Sequence, residues 1–205
     1  IPYIGIKDPL SGYSENRIID YVNTQKKNSK AVIYLGNNSH CISSYLPLLD
    51  TLYHLKDKIE IHCMANYSLN PNNASYLQLK EKGKKMYGDD FVIHTEFYEL
   101  KDYPNFMSCC DVYICGAERQ TGLGAIYTLI RLGRKLYLAG NNLSFIKESG
   151  YIVHSCNELN NIEYENIVDF PLKDRLYNFK LIKEEMNDSK AIDRWEKYYD
   201  FIILQ

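Results

Sequence analysis

The sequence predicts an α/β fold, a Rossmann-like doubly wound parallel sheet with C-terminal helices, and three observations predict it. Short apolar runs such as Lys30–Gly36 (KAVIYLG) are nearly continuous, as expected of strands covered on both faces. Six such runs alternate with segments of helical period, which implies right-handed βαβ crossovers. Two of the strand-to-helix junctions, at 36–40 and 117–124, are rich in glycine and polar residues.

Taken in order, residues 1–29 hold one expected helix, Ser14–Lys26, with Ser14 placed to cap it. The first strand, Lys30–Gly36, leads into a helix over His40–Lys56. Ile59–Ala65 follows as strand, Ala74–Tyr87 as helix, Phe91–Phe97 as strand and Tyr98–Cys110 as a short helix. Asp111–Gly116 is the fourth strand, Gly122–Leu132 its helix, Arg134–Ala139 the fifth strand, Leu143–Glu148 a helix, and Tyr151–His154 the last strand. Residues 157–170 read as polar and irregular. Pro171–Asn187 and Ser189–Phe201 read as helices, the second presenting Ile192, Trp195, Tyr199 and Ile202 on one face. The expected organisation is a connecting segment over 1–29, a ligand-binding domain over 30–156 and C-terminal helices over 157–205.

Composition narrows the function classes. The 205 residues are 45% hydrophobic, enough for one substantial core. With 24 basic against 26 acidic residues the net charge is −2, which argues against a general nucleic-acid footprint. No apolar run has bilayer length and no signal-peptide pattern opens the chain, so a cytoplasmic protein is expected. The six cysteines (41, 63, 109, 110, 115 and 156) lack metal-ligand spacing and read as reduced, mostly buried thiols. The chain opens Ile1-Pro2-Tyr3 without an initiator methionine, so either an upstream portion is missing or this is an excised domain.

The richest chemistry lies in Asp111-Val-Tyr-Ile-Cys-Gly-Ala-Glu-Arg-Gln-Thr-Gly-Leu-Gly-Ala125. Here a strand runs into a charged, glycine-bearing turn that opens a helix. Such a turn aims backbone N–H groups and the positive end of a helix dipole at one place, with Arg119 beside it, and that suits an anion. Glu118, Gln120, Thr121, Gly122 and Gly124 complete the candidate set. The alternative for Arg119 is a surface salt-bridge partner. Glu118 either accepts hydrogen bonds from sugar hydroxyls or pairs with a nearby cation. The GLGAIY run is only part of a GxGxxG signature and follows the fourth strand rather than the first, which argues against a nicotinamide dehydrogenase; no P-loop occurs.

After the first strand, Gly36-Asn37-Asn38-Ser39-His40 forms the second candidate turn, in which Gly36 lets a ligand approach the backbone while Asn or Ser caps the helix. An ordinary βα turn needs no ligand. A ligand lying across the carboxyl edge would touch both turns if their strands are close in the sheet. Tyr67, just beyond the second strand, could stack on a base or sugar. His62, His94 and His154 fall within strands and read as satisfied structural histidines, while His40 opens a helix beside the first glycine turn. The Lys80–Lys85 cluster reads as a solvated helix face.

Three segments, GNN-S-H at 36–40, EKGKKMYGDDFVIHTEFYELKDYPNFMSCCDVYI at 81–114, and ERQ-T-GLG-A with TLIRLGRKLYL across 118–138, together resemble the donor-binding half of the 4-alpha-L-fucosyltransferase family. That family builds enterobacterial common antigen and is similar to other GT-B enzymes, whose two Rossmann-like domains face a cleft. The resemblance covers roughly residues 30–155. It implies transfer of 4-acetamido-4,6-dideoxygalactose from a dTDP-sugar to a lipid-linked acceptor, without a metal or other cofactor. It places the family's glycine-asparagine turn on Gly36 and Asn37, and its arginine-glutamine turn on Arg119, Gln120 and Gly124. Ala117 or Glu118, Thr121 and Ala125 stand where the family has asparagine, a second glutamine and asparagine, and Ile42-Ser43-Ser44-Tyr45 replaces an asparagine-histidine cluster. These departures bear on the donor sugar more than on the reaction class.

The implied partners are a nucleotide-sugar donor and a lipid-linked glycan, with no nucleic acid. A missing N-terminal domain would supply any peripheral association with the inner face of the membrane. Arg119 and the helix start would stabilise charge growing on the departing diphosphate. The sequence offers no residue convincing as the catalytic base. A nucleotide-binding regulatory or interaction module without catalysis is the alternative reading.

Overall fold

A computed structural model describes residues 10, 12–24, 30–36, 41–66, 70, 72–99 and 101–185. The expectations for Asn37, Asn38, His40, Tyr67 and the 189–201 helix lie outside these residues. Six parallel strands, β1 (Ala31–Leu35), β2 (Ile59–Met64), β3 (Phe91–His94), β4 (Val112–Cys115), β5 (Lys135–Leu138) and β6 (His154–Ser155), form one sheet in the order β3-β2-β1-β4-β5-β6. The doubly wound α/β fold therefore stands as the sequence predicts. The order reverses between β1 and β4, which pair through Ile33–Val112, Tyr34–Tyr113 and Leu35–Ile114.

The helices are α1 (Glu15–Thr24), α2 (Ile42–Leu52), α3 (Ala74–Tyr87), α4 (Tyr103–Ser108), α5 (Leu123–Arg131), α6 (Gly140–Glu148), α7 (Tyr164–Val168) and α8 (Leu172–Glu185). Right-handed crossovers put α2 and α3 on one face and α4, α5 and α6 on the other. Strand residues on both faces are buried, among them Ile33, Leu35, Ile61, Ile114 and Leu138. Each fully buried aliphatic side chain contributes about 1.5–3 kcal/mol.

Three elements differ from the sequence reading. The last strand pairs at His154–Ser155, because Tyr151–Val153 is spent on packing and on the Asn178 amide, which bonds both the N–H (2.8 Å) and the C=O (2.9 Å) of Ile152. The stretch 157–170 is not irregular: a short 3-10 turn, Cys156–Leu159, carries a Ser155–Glu158 capping box, and α7 follows. The five residues of α7 are held by the Lys135 ammonium, which donates to the carbonyls of Asn166 (2.5 Å) and Asp169 (2.7 Å) at its C-terminal end. The helix after β5 begins at Gly140 rather than at Leu143.

At the amino edge, Asp111 ties the sheet to α1. Its carboxylate accepts the Tyr21 hydroxyl (2.5 Å) and the Val32 N–H (2.8 Å). The Arg134 guanidinium lies 3.3 Å from the centre of the Tyr21 ring, with Arg175 close behind at 5.5 Å. Both arginines are buried. All six cysteines are free thiols, and four of them (41, 63, 110 and 115) are buried, as the sequence predicts.

A polar chain crosses the face beneath α4. Glu60 Oε1 meets His62 Nε2 (2.7 Å), His62 Nδ1 meets His94 Nε2 (2.8 Å), and His94 Nδ1 meets the Tyr98 hydroxyl (3.1 Å). Burial, helped by the His62 charge, lowers the His94 pKa to about 4. An unfolded histidine titrates near pH 6.5, so between roughly pH 6.5 and 4 the unfolded chain holds a proton that the native state lacks. This contribution to stability is complete above that window and lost as pH falls through it. His94→Gln should therefore flatten the stability profile between these limits in urea titrations; an unaltered slope would mean that His94 titrates normally in the fold.

Candidate nucleotide-sugar site

The carboxyl ends of β1 and β4 lie side by side. The Gly36 N–H donates to the Ile114 carbonyl (2.8 Å), so the chain leaves β1 beside the end of β4, at the point where strand order reverses. In doubly wound sheets this crevice is where ligands bind. Gly36 has φ +62°, and a Cβ there would fall 1.7 Å from the Tyr45 hydroxyl oxygen. Its glycine is thus required by packing against α2, whatever ligand approaches. The residue before α2 is Cys41, whose side chain makes no cap bond, and the expected Asn or Ser cap falls outside the described residues. Cys41 is instead buried next to the second turn, close to the Arg119 charge and within hydrogen-bonding reach of the Thr121 side chain.

In that second turn Glu118, Arg119 and Gln120 are exposed, and Thr121 and Gly122 are half-buried. Among the described residues neither Arg119 nor Glu118 takes part in an ion pair, so the surface salt-bridge readings find no partner there. Gly122 takes the left-handed conformation (φ +68°, ψ 25°) and starts α5 without a side-chain cap. The first intrahelical bond runs from the Ile126 N–H to the Gly122 carbonyl (3.0 Å). The N–H groups of Leu123, Gly124 and Ala125 therefore have no partner within the helix and carry its positive end. A Cβ on Gly124 would meet nothing within 4 Å, which leaves an open approach to this backbone.

Sequence reasoning missed what supports the turn. Asn142, fully buried on α6, accepts the Thr121 N–H (3.1 Å) and donates to the Thr121 carbonyl (2.9 Å). The Asn141 N–H donates to the Glu118 carbonyl (2.8 Å), and Gly140 lies so close that a Cβ would fall 2.2 Å from that oxygen. A signal was available: Gly140-Asn141-Asn142 repeats the Gly36-Asn37-Asn38 pattern after another strand. Phe97, beyond the carboxyl end of β3 and 65% exposed, is a further aromatic on this edge. Among the described residues no group of three or more His, Cys, Asp or Glu side chains could hold a metal ion, and no helix is long and apolar enough to cross a membrane.

This architecture is shared with solved glycosyltransferases. The C-terminal domain of a glycosyl transferase group 1 family protein from Francisella tularensis superposes with a TM-score of 0.59 at 15% identity, over 83% of this chain and 93% of that one. A glycosyltransferase from Rickettsia africae gives 0.67 at 14% identity, over 96% of this chain and 54% of that one. A UDP-forming alpha,alpha-trehalose-phosphate synthase from Burkholderia xenovorans gives 0.54 at 13% identity, over 89% of this chain and 48% of that one. The fold is that of the C-terminal domain of GT-B glycosyltransferases. Beside such full-length enzymes the chain spans about half their length. No family model matches the sequence, and no curated protein matches it.

Proposed function

We propose that this chain is the donor-binding half of a glycosyltransferase, holding a nucleotide sugar by its diphosphate at the β1–β4 crevice. The observation that carries this reading is that β1 and β4 end side by side at the strand-order reversal, with Arg119 in the turn that leads to the open start of α5. In this reading Arg119 and the N–H groups of 123–125 face the diphosphate, and Gly36 with Asn37 and Asn38 borders it from the other side. Glu118, acceptor-only when ionised, takes sugar hydroxyls rather than phosphate. Tyr67 or Phe97 gives the base an aromatic surface. The ligand-binding unit is residues 30–156, flanked by the connecting segment and the C-terminal helices.

Resemblance to the 4-alpha-L-fucosyltransferases supports a dTDP-linked deoxyamino sugar as donor and a lipid-linked glycan of cell-surface polysaccharide synthesis as acceptor. Loss of the nucleoside diphosphate places growing negative charge on the bridging oxygen. The helix start and Arg119 are preorganised to receive it. The base and the acceptor site belong to a second domain, which would also provide any contact with the inner face of the membrane.

Calorimetric titration with dTDP, UDP and GDP tests the reading. Charge-assisted contacts to phosphate contribute about 1.5–3 kcal/mol, so Arg119→Ala should weaken nucleoside-diphosphate binding about tenfold or more and leave the melting temperature of the free protein unchanged. Equal affinities for variant and parent would place the phosphate elsewhere.

A further inference from the structure

We propose that Asn142 is a positioning residue for the diphosphate, resting on the reading of the 117–124 turn as its binding site. The Asn142 amide closes on both polar groups of Thr121, donating to its carbonyl and accepting its N–H, as a neighbouring peptide would in a ladder. The same amide nitrogen lies 3.6 Å from the Cys115 sulfur at the end of β4. One fully buried side chain on α6 therefore joins the last residue of the strand to the residue just before Gly122. Asn141 and Gly140 hold Glu118 from the same element. Arg119 and Gln120 are strung between two points fixed by α6.

The consequence for binding is preorganisation. An exposed turn carrying an arginine loses conformational freedom when it closes on an anion, and that loss opposes binding. Asn142 imposes the order before the ligand arrives. Its neutrality matters as well. A carboxylate in the same place would bring negative charge beneath an anion site and set an oxygen against the Thr121 carbonyl, while the buried acid itself would be pushed towards its neutral form. Protonated, it regains an O–H donor and imitates the amide.

The test uses the chain with Asn142→Asp and Asn142→Leu, read by amide exchange at Thr121 and by the affinities for dTDP and thymidine across pH 5–8. In the parent, Thr121 should exchange slowly, because its N–H is held by Asn142. Asn142→Leu removes both bonds and should speed that exchange roughly 10- to 100-fold. Asn142→Asp should lose dTDP affinity about tenfold relative to the parent at pH 8, regain most of it at pH 5, and leave thymidine affinity within about twofold. A variant that is merely destabilised would lose both ligands together and show no such recovery. Fast Thr121 exchange in the parent, or Asn142→Asp binding dTDP like the parent at pH 8, would overturn the proposal. If the parent binds neither ligand the diphosphate reading fails, and with it the ligand role of Asn142, whereas the exchange data still decide whether Asn142 holds the turn.

Discussion

Gly140→Val should both destabilise the protein and dislodge the turn that carries Arg119. The backbone there has φ +50°, a conformation that costs a residue with a Cβ about 1–2 kcal/mol. The new Cβ would also meet the Glu118 carbonyl oxygen at 2.2 Å and its Cα at 2.5 Å, which are backbone atoms that cannot rotate away. Overpacking of this kind adds about 1–3 kcal/mol, so the total is about 2–5 kcal/mol, a large share of the 5–15 kcal/mol typical of a domain. Relief requires residues 118–121 to move, breaking the bond from the Asn141 N–H to Glu118. Urea unfolding should show the lost stability, and nucleotide affinity measured on the folded fraction should fall as well. Gly124→Ala is the contrasting case. Its Cβ enters open space, and alanine is the better helix former, so stability should hold or rise.

Asp111→Ala should be as costly, at the opposite edge of the sheet. The carboxylate binds the Tyr21 hydroxyl and the Val32 N–H, and its charge faces the guanidinium groups gathered on the Tyr21 ring. Arg134 and Arg175 are each 2% exposed. Arg134 donates through Nη2 to the Ser108 carbonyl, while its Nε and Nη1 have no hydrogen-bond partner among the described residues. Removing the anion from buried cations costs about 3–5 kcal/mol. Because Asp111 lies at the amino edge, nucleotide affinity should be unchanged under conditions where the variant remains folded. A variant as stable as the parent would show that the arginines are neutralised by other groups.

The strands were legible because a parallel sheet buried on both faces writes itself as apolar runs, and the runs at 30–36 and 111–116 contain β1 and β4 within one residue at each end. The 117–124 turn is legible as a glycine-bearing strand-to-helix junction that carries Arg119. What the sequence hid depends on distant partners. Gly140-Asn141-Asn142 has poor helix propensity and reads as a loop, yet it begins α6, where the Asn142 amide is engaged with Thr121 rather than with its own backbone. The five residues of α7 have too little periodicity to register, and a lysine from β5 holds their carbonyl end. Gly36 reads as room for a ligand, while the group its missing Cβ makes room for is the Tyr45 hydroxyl on α2.

The central claim is that a nucleoside diphosphate sits where β1 and β4 part. Amide chemical-shift mapping of the chain titrated with dTDP tests it most directly. The expected result is saturable perturbation centred on Gly36 and on residues 119–125, absent with thymidine at 119–125 and abolished there by Arg119→Ala. No perturbation at millimolar nucleotide, or perturbation centred on the amino edge around Asp111 and Arg134, would contradict it.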